Sequence, residues 1–387
     1  MKLIEMPMTR ALVTFGPTDE GIDDVMKITN MSTGRLGVEI GEALTAAYGT
    51  ALELWMLGNK TAYRNNSVAM EKLESQGAKF EVLGGYKDGH YVSKETDDLL
   101  KVLKKVMTEN KIDYIFHCGA IGDYTGRWVS SNKLLAKEIF ALYKASGDDF
   151  SEEAIAEVLG APTDVFNQDT KMSSDEPNMI VGLGLTQKVI ASINGFADAA
   201  DYKTNLISWK LLSGVPTDEL YDVALHHGKR NGSWRVVAND LSKIGGDAHW
   251  AMIIDVENET TYELNTKGEI AGYLTDITLP APLGELLSRC REIGFAFSEG
   301  VSYRYLVEDD DSVIGVVGVE GDMAMLHLLE AFQGKGLGEQ AVKLCLDDGL
   351  SLYANDSWGN KAAFEKYGLT VVGRSQTHDC DIMSALS

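Results

Sequence analysis

Short apolar runs alternate with longer amphipathic ones over the first 115 residues of this 387-residue chain, and this alternation restricts the fold most. The runs ALVTF, ALELWML, KFEVLG and DYIFHCG have the length and content of buried strands. The stretches between them, GRLGVEIGEALTAAYGT, SVAMEKLESQG and KETDDLLKVLKKVMTEN, have the apolar spacing of helices. Because strands separated by helices require right-handed crossovers, the pattern predicts an α/β fold with flanking helices and a mostly parallel sheet.

The chain length is typical of two or three domains. A polar, helix-rich stretch at about 125–169 interrupts the alternation and predicts an insertion, after which NLISWKLL, TDELYDVALHHGK and WRVVAND resume it. Pro280 and Pro282 are expected to interrupt any regular element and so to mark a boundary. The predicted domains are therefore 1–278 and a smaller mixed α/β domain, 279–387, with strands SYRYLVE, SVIGVVGV and MAMLHLLEAF.

Composition excludes several classes of function. A net charge of −23 leaves no broad basic face for nucleic acid or an anionic membrane, so we expect small-molecule partners. The cysteines are far apart, with no C-x-x-C pair, which disfavours a disulfide framework or a zinc ribbon and fits a reducing compartment: Cys118, Cys290, Cys345 and Cys380. The opening MKLIEMPMTR is too polar for a signal peptide, and no apolar run reaches the length of a membrane span. We expect a cytoplasmic protein.

The stretch VTFGPTDEGIDDVMKITNMSTGRLG, Val13 to Gly37, leaves the first strand through two glycine-marked turns. The second turn precedes a helix whose free N–H groups and dipole favour an anion, and Ser32, Thr33 and Arg35 add donors. The plainer interpretation is a long loop with a well-capped helix. The stretch has no G-x-G-x-x-G, which disfavours a nicotinamide-dependent oxidoreductase.

This stretch resembles the opening motif of the phosphopantothenate–cysteine ligase family, also called phosphopantothenoylcysteine synthetase. Three later stretches, GAIGDY, TKMSS and RVVANDL, resemble further family motifs in the same order, so the resemblance covers about residues 10 to 275. It implies a Rossmann-like sheet and a ligase of coenzyme A biosynthesis that joins 4′-phosphopantothenate to L-cysteine. CTP or ATP with Mg²⁺ would form an acyl-nucleotide and release pyrophosphate. The resemblance also implies a homodimer.

The resemblance assigns roles to individual residues. Catalytic roles fall on Asn30, Lys171 and Asn239. Nucleotide or phosphate binding falls on Gly16, Lys27, Ser32, Gly34, Arg35, Gly37, Ala120, Asp123 and Lys210. No residue is assigned to a metal, because Mg²⁺ would arrive with the nucleotide. Taken singly, an asparagine after a turn usually caps a helix and a lysine in a polar loop is usually solvated.

Three positions depart from the family pattern. Met26 stands where the family has arginine, with Lys27 beside it, Leu212 replaces a glutamate, and Gly122 replaces an alanine. These departures keep open the alternative that the ligase-like half is catalytically inactive. The adjacent His226 and His227 point to different faces of one predicted helix, so surface or capping roles are expected rather than a metal site.

Near the C-terminus, QGKGLG leads from a predicted strand directly into a helix and resembles the turn of the GCN5-related acetyltransferase family. This resemblance implies a site for CoA or acetyl-CoA at Gln333, Gly334, Gly336, Gly338, Asn360 and Tyr367. The family's general acid falls on either Tyr367 or Phe364. The alternative function is therefore an acyl-CoA-dependent N-acetyltransferase, or a CoA-sensing protein, whose ligase-like half is catalytically inactive. Beside an active ligase, the same domain would sense CoA as the end product of the pathway and damp the ligase.

Overall fold

The computed structural model of the chain describes residues 1–87, 90–92, 94–168, 171–172, 175, 177–246 and 248–385. The strands are β1 (Lys2–Glu5), β2 (Thr9–Thr14), β3 (Asp19–Gly21), β4 (Lys27–Thr29), β5 (Leu52–Asn59), β6 (Lys79–Leu83), β7 (Gly85–Lys87), β8 (His90–Val92), β9 (Tyr114–His117), β10 (Tyr124–Ser131), β11 (Met179–Leu185), β12 (Asn205–Leu212), β13 (Arg235–Gly245), β14 (Ala248–Asp255), β15 (Thr261–Thr266), β16 (Ser302–Val307), β17 (Val313–Glu320), β18 (Met323–Leu328), β19 (Ser351–Ala354), β20 (Leu369–Ser375) and β21 (Cys380–Ala385). The helices are α1 (Arg35–Tyr48), α2 (Lys60–Asn65), α3 (Ser67–Ser75), α4 (Glu95–Glu109), α5 (Asn132–Ser146), α6 (Glu152–Gly160), α7 (Ile190–Ala199), α8 (Thr217–Asn231), α9 (Lys267–Asp276), α10 (Ala281–Glu292), α11 (Gly338–Asp347) and α12 (Lys361–Lys366).

The first sheet has the order β15-β14-β13-β12-β9-β2-β5-β6. All neighbouring pairs from β13 to β6 are parallel, whereas β14 and β15 pair antiparallel at one edge. The prediction of an α/β fold with a mostly parallel sheet is confirmed. The four strands and three helices predicted in this part of the chain are all present, with ends that differ by at most two residues.

Helices bury both faces of this sheet. One face packs on α1 and α9 through residues that include Val13, Val38, Phe116, Ile207 and Ile270. The other face packs on α4 and α7 through residues that include Leu12, Leu99, Ile115, Ile193 and Leu206. Consecutive strand residues therefore all enter a core, which explains why these strands are continuous apolar runs. Each such side chain contributes about 1.5–3 kcal/mol when fully buried.

The stretch predicted as an insertion leaves the sheet. Its two helices, α5 and α6, follow β10, which pairs antiparallel with β11 in a separate two-stranded ribbon. The sequence pattern did not predict either strand of this ribbon. Several large side chains on the two strands are exposed: Tyr124, Ile180, Leu183 and Leu185.

The second sheet has the order β1-β16-β17-β18-β19-β21-β20. Its first strand comes from the chain's N-terminus, and Lys2 to Glu5 pair antiparallel with Val307 to Arg304. Helices α11 and α12 pack on one face of the sheet through residues that include Val317, Ala341, Leu352 and Phe364. Residues 2–5, which the predicted boundaries place with 1–278, thus complete the sheet of the C-terminal segment.

The two sheets share a continuous core at their junction. The Tyr48 hydroxyl donates to the Thr278 carbonyl at 2.6 Å, and the Thr50 amide donates to the Val301 carbonyl at 2.8 Å. Pro280 caps α10, and the expectation that Pro282 interrupts regular structure is wrong, because it lies in the first turn of that helix. Proline fits there, since the first N–H groups of a helix have no intrahelical partner. Among the described residues, no helix is both long and apolar enough to cross a membrane.

Candidate active site

The candidate site lies at the carboxyl edge of the first sheet. The chain builds β5 and β6 on one side of β2 and then returns through α4 to place β9 on the other side. The strand order therefore reverses between β2 and β9, and the loops after these two strands diverge. Such a switch point leaves a crevice in which α/β proteins bind ligands.

The first glycine turn is packed tightly against its neighbours. Gly16 has a φ of +75°, and a Cβ atom there would lie 2.3 Å from the Cβ atom of Ala62. Glycine alone meets both conditions without displacing its surroundings. The Gly16 carbonyl accepts a hydrogen bond from the Ala120 amide at 2.8 Å, and the Thr18 amide donates to the Ala120 carbonyl at 3.3 Å. Backbone hydrogen bonds therefore join the turn after β2 to the loop after β9.

The second glycine turn lies directly on the first. Gly34 has a φ of +76°, and a Cβ atom there would lie 3.0 Å from the amide nitrogen of Gly16 and 2.9 Å from the ring of Phe15. A Cβ atom at Gly37 would lie 2.6 Å from the Cβ atom of Phe15. Helix α1 begins after Gly34 without an acidic residue in its first turn. Its N-terminal dipole therefore favours an anion at this edge.

Asn30 lies at the meeting point of the turns and the β9 loop. Its side-chain Nδ2 donates to the carbonyls of Ala120 and Ile121, both at 3.1 Å. Ser32 is also close, although its Oγ lies 3.4 Å from the amide of Gly34 and accepts only a long hydrogen bond. The structure thus brings together the predicted residues of both glycine turns, Asn30 and Ala120.

Asn239 lies further along the same edge, on β13. It is 3 % exposed, and its Nδ2 donates to the Trp250 carbonyl on β14 at 3.0 Å. The neighbouring Asp240 accepts hydrogen bonds from the amides of Gly214 and Ser242, which lower the pKa of its carboxyl group. The end of β13 is therefore held in place around the predicted asparagine.

Lys171 is exposed and lies beside the buried Asp23. Burial raises the pKa of Asp23, but hydrogen bonds from the amides of Met26, Val25 and Met172, with the Lys171 ammonium, hold it below its usual value. The Met172 amide donates to the Asp23 carboxylate at 3.1 Å, and this hydrogen bond fixes the chain next to Lys171. The other predicted loop residues, Thr170, Ser173 and Ser174, lie outside the described residues.

The predicted cations near the turns have acidic partners. Arg35 Nε lies 2.8 Å from Glu39 and its terminal nitrogen lies 3.3 Å from Glu42, so the guanidinium follows the helix surface. Lys27 forms an ion pair with Asp19 across the β3–β4 hairpin. Neighbouring carboxylates therefore partly neutralise both charges.

Two further predicted residues stand apart from the turns. Asp123 forms an ion pair with Lys188 beyond the β9 loop. Lys210 is half-buried on β12, beside His227 of α8. Burial lowers the pKa of His227, and the charge of Lys210 lowers it further. His226, next to it on the helix, is exposed.

The positions that depart from the family pattern have distinct surroundings. Met26 is 44 % exposed in the turn between β3 and β4. Leu212 packs against the apolar cluster under α8. The Gly122 amide donates to Thr18 Oγ1 at 2.9 Å, so this loop position takes part in the junction of the two loops.

Sequence reasoning missed the buried polar groups beneath these loops. The Thr14 hydroxyl contacts His117 Nδ1 at 3.1 Å and accepts from the Gly119 amide at 3.0 Å. Burial, with a smaller effect of the His227 charge, lowers the pKa of His117 to about 4. Burial also raises the pKa of Glu95 to about 7. The available signal was a polar residue at the end of an apolar strand or at the start of a helix.

A separate glycine turn, Gln333 to Gly338, links β18 to α11 in the C-terminal segment. Gly334 and Gly336 have φ values of +72° and +78°, and a Cβ atom at either would meet no atom within 4 Å. The Gln333 side chain donates to the Leu328 carbonyl at 2.9 Å. The turn therefore needs glycine for its backbone conformation but is open on its outer side.

Of the two residues considered for the general acid, Tyr367 lies next to this turn. Its hydroxyl would be 2.9 Å from a Cβ atom at Gly338, whereas Phe364 is buried in the core below α11 and α12. Asn360 accepts from the Asn355 amide at 3.1 Å and donates to the Tyr353 carbonyl at 3.1 Å. Asn360 thus fixes the end of β19.

The strands β18 and β19, which precede and follow the turn Gln333–Gly338 and helix α11, separate from each other. β18 and β19 are parallel neighbours, yet only Met323 and Ala324 pair with Ser351 and Leu352. Beyond these pairs the two strands diverge, and β19 pairs with β21 on its other side. The remaining inner edge of β18 lies next to the glycine turn that follows it.

The model of the family described as DNA/pantothenate metabolism flavoprotein C-terminal domain, or DFP, matches residues 6–82. This segment includes β2, both glycine turns, Asn30 and α1. The crystal structure of the DNA/pantothenate metabolism flavoprotein from Streptococcus pneumoniae is 24 % identical to this chain. The alignment has a TM-score of 0.50 and covers 70 % of this chain and 98 % of that one. The chain contains the DFP fold.

A curated relative extends the similarity beyond the matched segment. The coenzyme A biosynthesis bifunctional protein CoaBC of Thermococcus kodakarensis is 22 % identical over 267 residues, which cover 69 % of this chain. The same alignment covers 50 % of the relative, so the chain spans about half the length of the curated protein that it matches. The predicted likeness to coenzyme A biosynthesis proteins is confirmed at the level of the DFP fold.

Proposed function

We propose that the DFP-fold part of the chain is a ligase that joins 4′-phosphopantothenate to L-cysteine through an acyl-nucleotide. The proposal depends above all on the meeting of both glycine turns with Asn30 at the sheet's switch point, inside the segment that the DFP model matches. The name of the curated relative, a coenzyme A biosynthesis protein, supports the same pathway.

The first step brings two anions together, because the substrate carboxylate must attack the α-phosphorus of a nucleoside triphosphate. Fixed positive dipoles and positioned cations reduce this repulsion. The N–H groups at the start of α1 supply the dipoles, and Gly16 and Gly34 let the backbone approach the phosphates closely. Lys171 lies on the neighbouring loop and would follow the charge of the departing pyrophosphate. CTP and ATP both fit this scheme.

In the second step the cysteine amine attacks the acyl carbon, the C–N bond forms, and the nucleoside monophosphate leaves. Asn30 would hold the acyl-phosphate oxygen through the amide that now donates to Ala120 and Ile121. Asn239 would hold the pantothenate side of the intermediate from β13. Both roles require a fixed donor rather than a proton acceptor, which is the chemistry of a side-chain amide.

Mg²⁺ would enter with the nucleotide and neutralise phosphate charge. In the part of the chain that the structure describes, no group of three His, Cys, Asp or Glu side chains is placed to hold a metal ion. Mg²⁺ in nucleotide-dependent enzymes is bound mainly by substrate phosphates with one or two carboxylates.

The direct test is pyrophosphate release by the purified full chain with 4′-phosphopantothenate, Mg²⁺ and either CTP or ATP. We expect release that depends on 4′-phosphopantothenate and that continues to the amide when cysteine is added. Lys171→Gln should lower the rate about 10²–10³-fold, as the loss of a single positioned charge donor does. The nucleotide that supports release identifies the co-substrate.

Lys203→Gln is the matched control, because Lys203 is an exposed lysine paired with Asp198 near the start of β12, at the opposite edge. It should leave the rate unchanged. No release with either nucleotide would overturn the proposal and favour an inactive ligase-like half, with Met26 and Leu212 as its marks.

The separation of β18 from β19 favours a second candidate function for the C-terminal segment. We propose that CoA or an acyl-CoA binds there, with its pyrophosphate on the amides of Gln333 to Gly338 and its pantetheine arm along the open edge of β18. Tyr367 is placed next to the turn, so it is the residue proposed as general acid in any acetyl transfer.

Isothermal titration with CoA and with acetyl-CoA tests this second candidate. Gly336→Asp would place a carboxylate in the open turn and should abolish binding without disturbing the first sheet. Pyrophosphate release with and without CoA then decides regulation: inhibition that Gly336→Asp removes supports a CoA sensor. Unchanged kinetics at millimolar CoA would exclude that role.

We also propose that the chain acts as a homodimer. Tyr124, Leu183 and Leu185 on the β10–β11 ribbon are 52 %, 49 % and 65 % exposed, which is unusual for three large side chains on one short ribbon. Sedimentation equilibrium of the full chain should give twice the monomer mass. Leu183→Lys with Leu185→Lys should give the monomer mass.

A further inference from the structure

A buried carboxylate at the start of α4 lies beneath the first glycine turn without reaching its surface. Glu95 is 7 % exposed and is the first residue of the helix. Its Oε2 accepts a hydrogen bond from the Asp19 amide at 2.8 Å and another from Asn59 Nδ2 at 3.1 Å. The two donors come from different parts of the chain: Asp19 follows β2, and Asn59 is the last residue of β5.

Asn59 extends the contact to both sides of the turn. Its Nδ2 also donates to the Pro17 carbonyl at 3.0 Å, and its Oδ1 accepts from the Ala62 amide at 2.9 Å. Ala62 is the residue whose methyl group occupies the space beside Gly16. Glu95 therefore bonds the middle of the segment Pro17–Gly21 directly, at Asp19, and fixes its first residue, Pro17, through Asn59.

The next residue of the helix continues the same junction. The Thr96 amide donates to Glu20 Oε1 at 2.9 Å, and its hydroxyl contacts Thr18 Oγ1 at 3.2 Å. Thr18 Oγ1 in turn accepts from the Gly122 amide of the β9 loop. The carbonyls of that loop hold Asn30, so a chain of hydrogen bonds runs from the start of α4 to the predicted catalytic asparagine.

We propose that Glu95 is a positioning residue, which holds Pro17–Gly21 and, through it, the β9 loop in the shape that receives the nucleotide phosphates. The inference rests on the proposed ligase function for its catalytic consequence. Its structural part, the locking of the segment, stands independently of the substrate.

The surroundings of Glu95 make this lock sensitive to pH. Burial raises the pKa of Glu95 to about 7, the two hydrogen bonds oppose that shift, Asp19 on β3 adds to it and Lys27 on β4 reduces it. Asp98, on the same helix, bonds the Gly84 amide. The ionised carboxylate accepts stronger hydrogen bonds than the neutral acid. The raised pKa shows, however, that burial outweighs these hydrogen bonds, so ionisation as pH rises through about 7 should loosen the segment.

Hydrogen–deuterium exchange of peptides covering residues 16–22 measures the lock in the full chain without any substrate. After correction for intrinsic rates, exchange in the wild type should be faster at pH 8, where the buried Glu95 is ionised, than at pH 6. Glu95→Ala should raise exchange at both pH values. Glu95→Gln keeps one acceptor and the side-chain shape but does not ionise, so it should remove the pH dependence.

The kinetic readout uses the same variants. Glu95→Ala should lower pyrophosphate release about 10–10²-fold, because a misplaced loop disturbs the reacting geometry without removing a contact to substrate. Glu95→Gln should recover much of that loss and lack the inflection near pH 7 in the kcat profile. Glu53→Gln is the control, since Glu53 is a hydrogen-bonded carboxylate near the start of β5, at the opposite end of the strand from Asn59.

The outcomes separate the two proposals. Unchanged exchange of residues 16–22 in Glu95→Ala, or an inflection that persists in Glu95→Gln, would overturn the positioning role. If the wild type releases no pyrophosphate while Glu95→Ala still exchanges faster, the ligase proposal fails and the structural lock stands. A kinetic loss of equal size in Glu53→Gln would show a general effect on the fold and also overturn the inference.

Discussion

In each sheet, glycine-marked turns lead from a strand into a helix: Gly16 and Gly34 after β2, and Gly334 and Gly336 after β18. The turns of the two sheets have different surroundings. At Gly16 and Gly34 an added Cβ atom would lie 3.0 Å or less from a neighbouring atom, and the segments around these turns are held by hydrogen bonds from buried polar side chains. At Gly334 and Gly336 an added Cβ atom would meet nothing within 4 Å.

The difference separates two reasons for glycine in a turn that leads into a helix. In the first sheet glycine is needed for close packing as well as for a positive φ, so the turn is rigid before any ligand arrives. In the second sheet only the positive φ requires glycine, and the turn presents its amides to open space. A preorganised turn favours catalysis, whereas an open one is sufficient for binding.

The largest expected effect is that of Gly16→Ala. The new methyl group would overlap that of Ala62, and the residue would keep a positive φ. The two costs together are about 2–5 kcal/mol. Gly334→Ala has the φ cost alone, about 1–2 kcal/mol. Calorimetric unfolding of both full-chain variants measures the difference, and equal destabilisation would remove the distinction between the turns.

Asn30→Ala should lower pyrophosphate release about 10²–10³-fold, because it removes a positioned donor from the rigid turn. Gln333→Ala is the corresponding change in the open turn and should leave this rate unchanged. The Gln333 side chain bonds only the Leu328 carbonyl among the described residues. Equal losses in both variants would indicate that the two turns serve one reaction.

Acid should weaken the first turn system through His117. Burial lowers the pKa of His117 to about 4 in the folded chain, below the unfolded value of 6.5. The neutral ring therefore contributes stability above pH 6.5 that is lost as pH falls towards 4, in total about 3 kcal/mol. Urea unfolding between pH 7 and pH 4 measures this loss, and His117→Gln should flatten it. A profile that His117→Gln leaves unchanged would assign the acid sensitivity to other groups.

The sequence pattern predicted the parallel core well, because each of its strands is buried on both faces and so forms a continuous apolar run. It also placed Asn30 and both glycine turns at one edge, since the carboxyl ends of parallel strands meet there. Local patterning carries this information directly.

Long-range pairing explains what the pattern did not predict. The sequence pattern indicated only a polar N-terminus at Lys2 to Glu5. In the structure these residues pair with a strand about 300 positions away. The β10–β11 ribbon joins a strand at the start of the predicted insertion to a strand beyond its end. The role of Glu95 was hidden for the same reason, because its partners, Asp19 and Asn59, are 76 and 36 residues away in sequence. Pro282 was misjudged for a local reason, since proline interrupts a helix interior but not its first turn.

The smallest expected effect concerns the cations of the two turns. Arg35 is bound to Glu39 and Glu42, whereas Lys335 in the open turn lies 5.0 Å from the ring of Phe332. An exposed helical ion pair contributes about 0.3–0.5 kcal/mol, so Arg35→Gln should lower stability by about that amount. Because two carboxylates already neutralise Arg35, the substitution should raise the nucleotide KM less than about tenfold. A rise in KM of more than tenfold would show that the guanidinium leaves Glu39 and Glu42 when the nucleotide binds. Added salt should then narrow the difference in KM between the variant and the wild type. In that case the first turn would also reorganise on binding, and its contrast with the open turn would be one of degree.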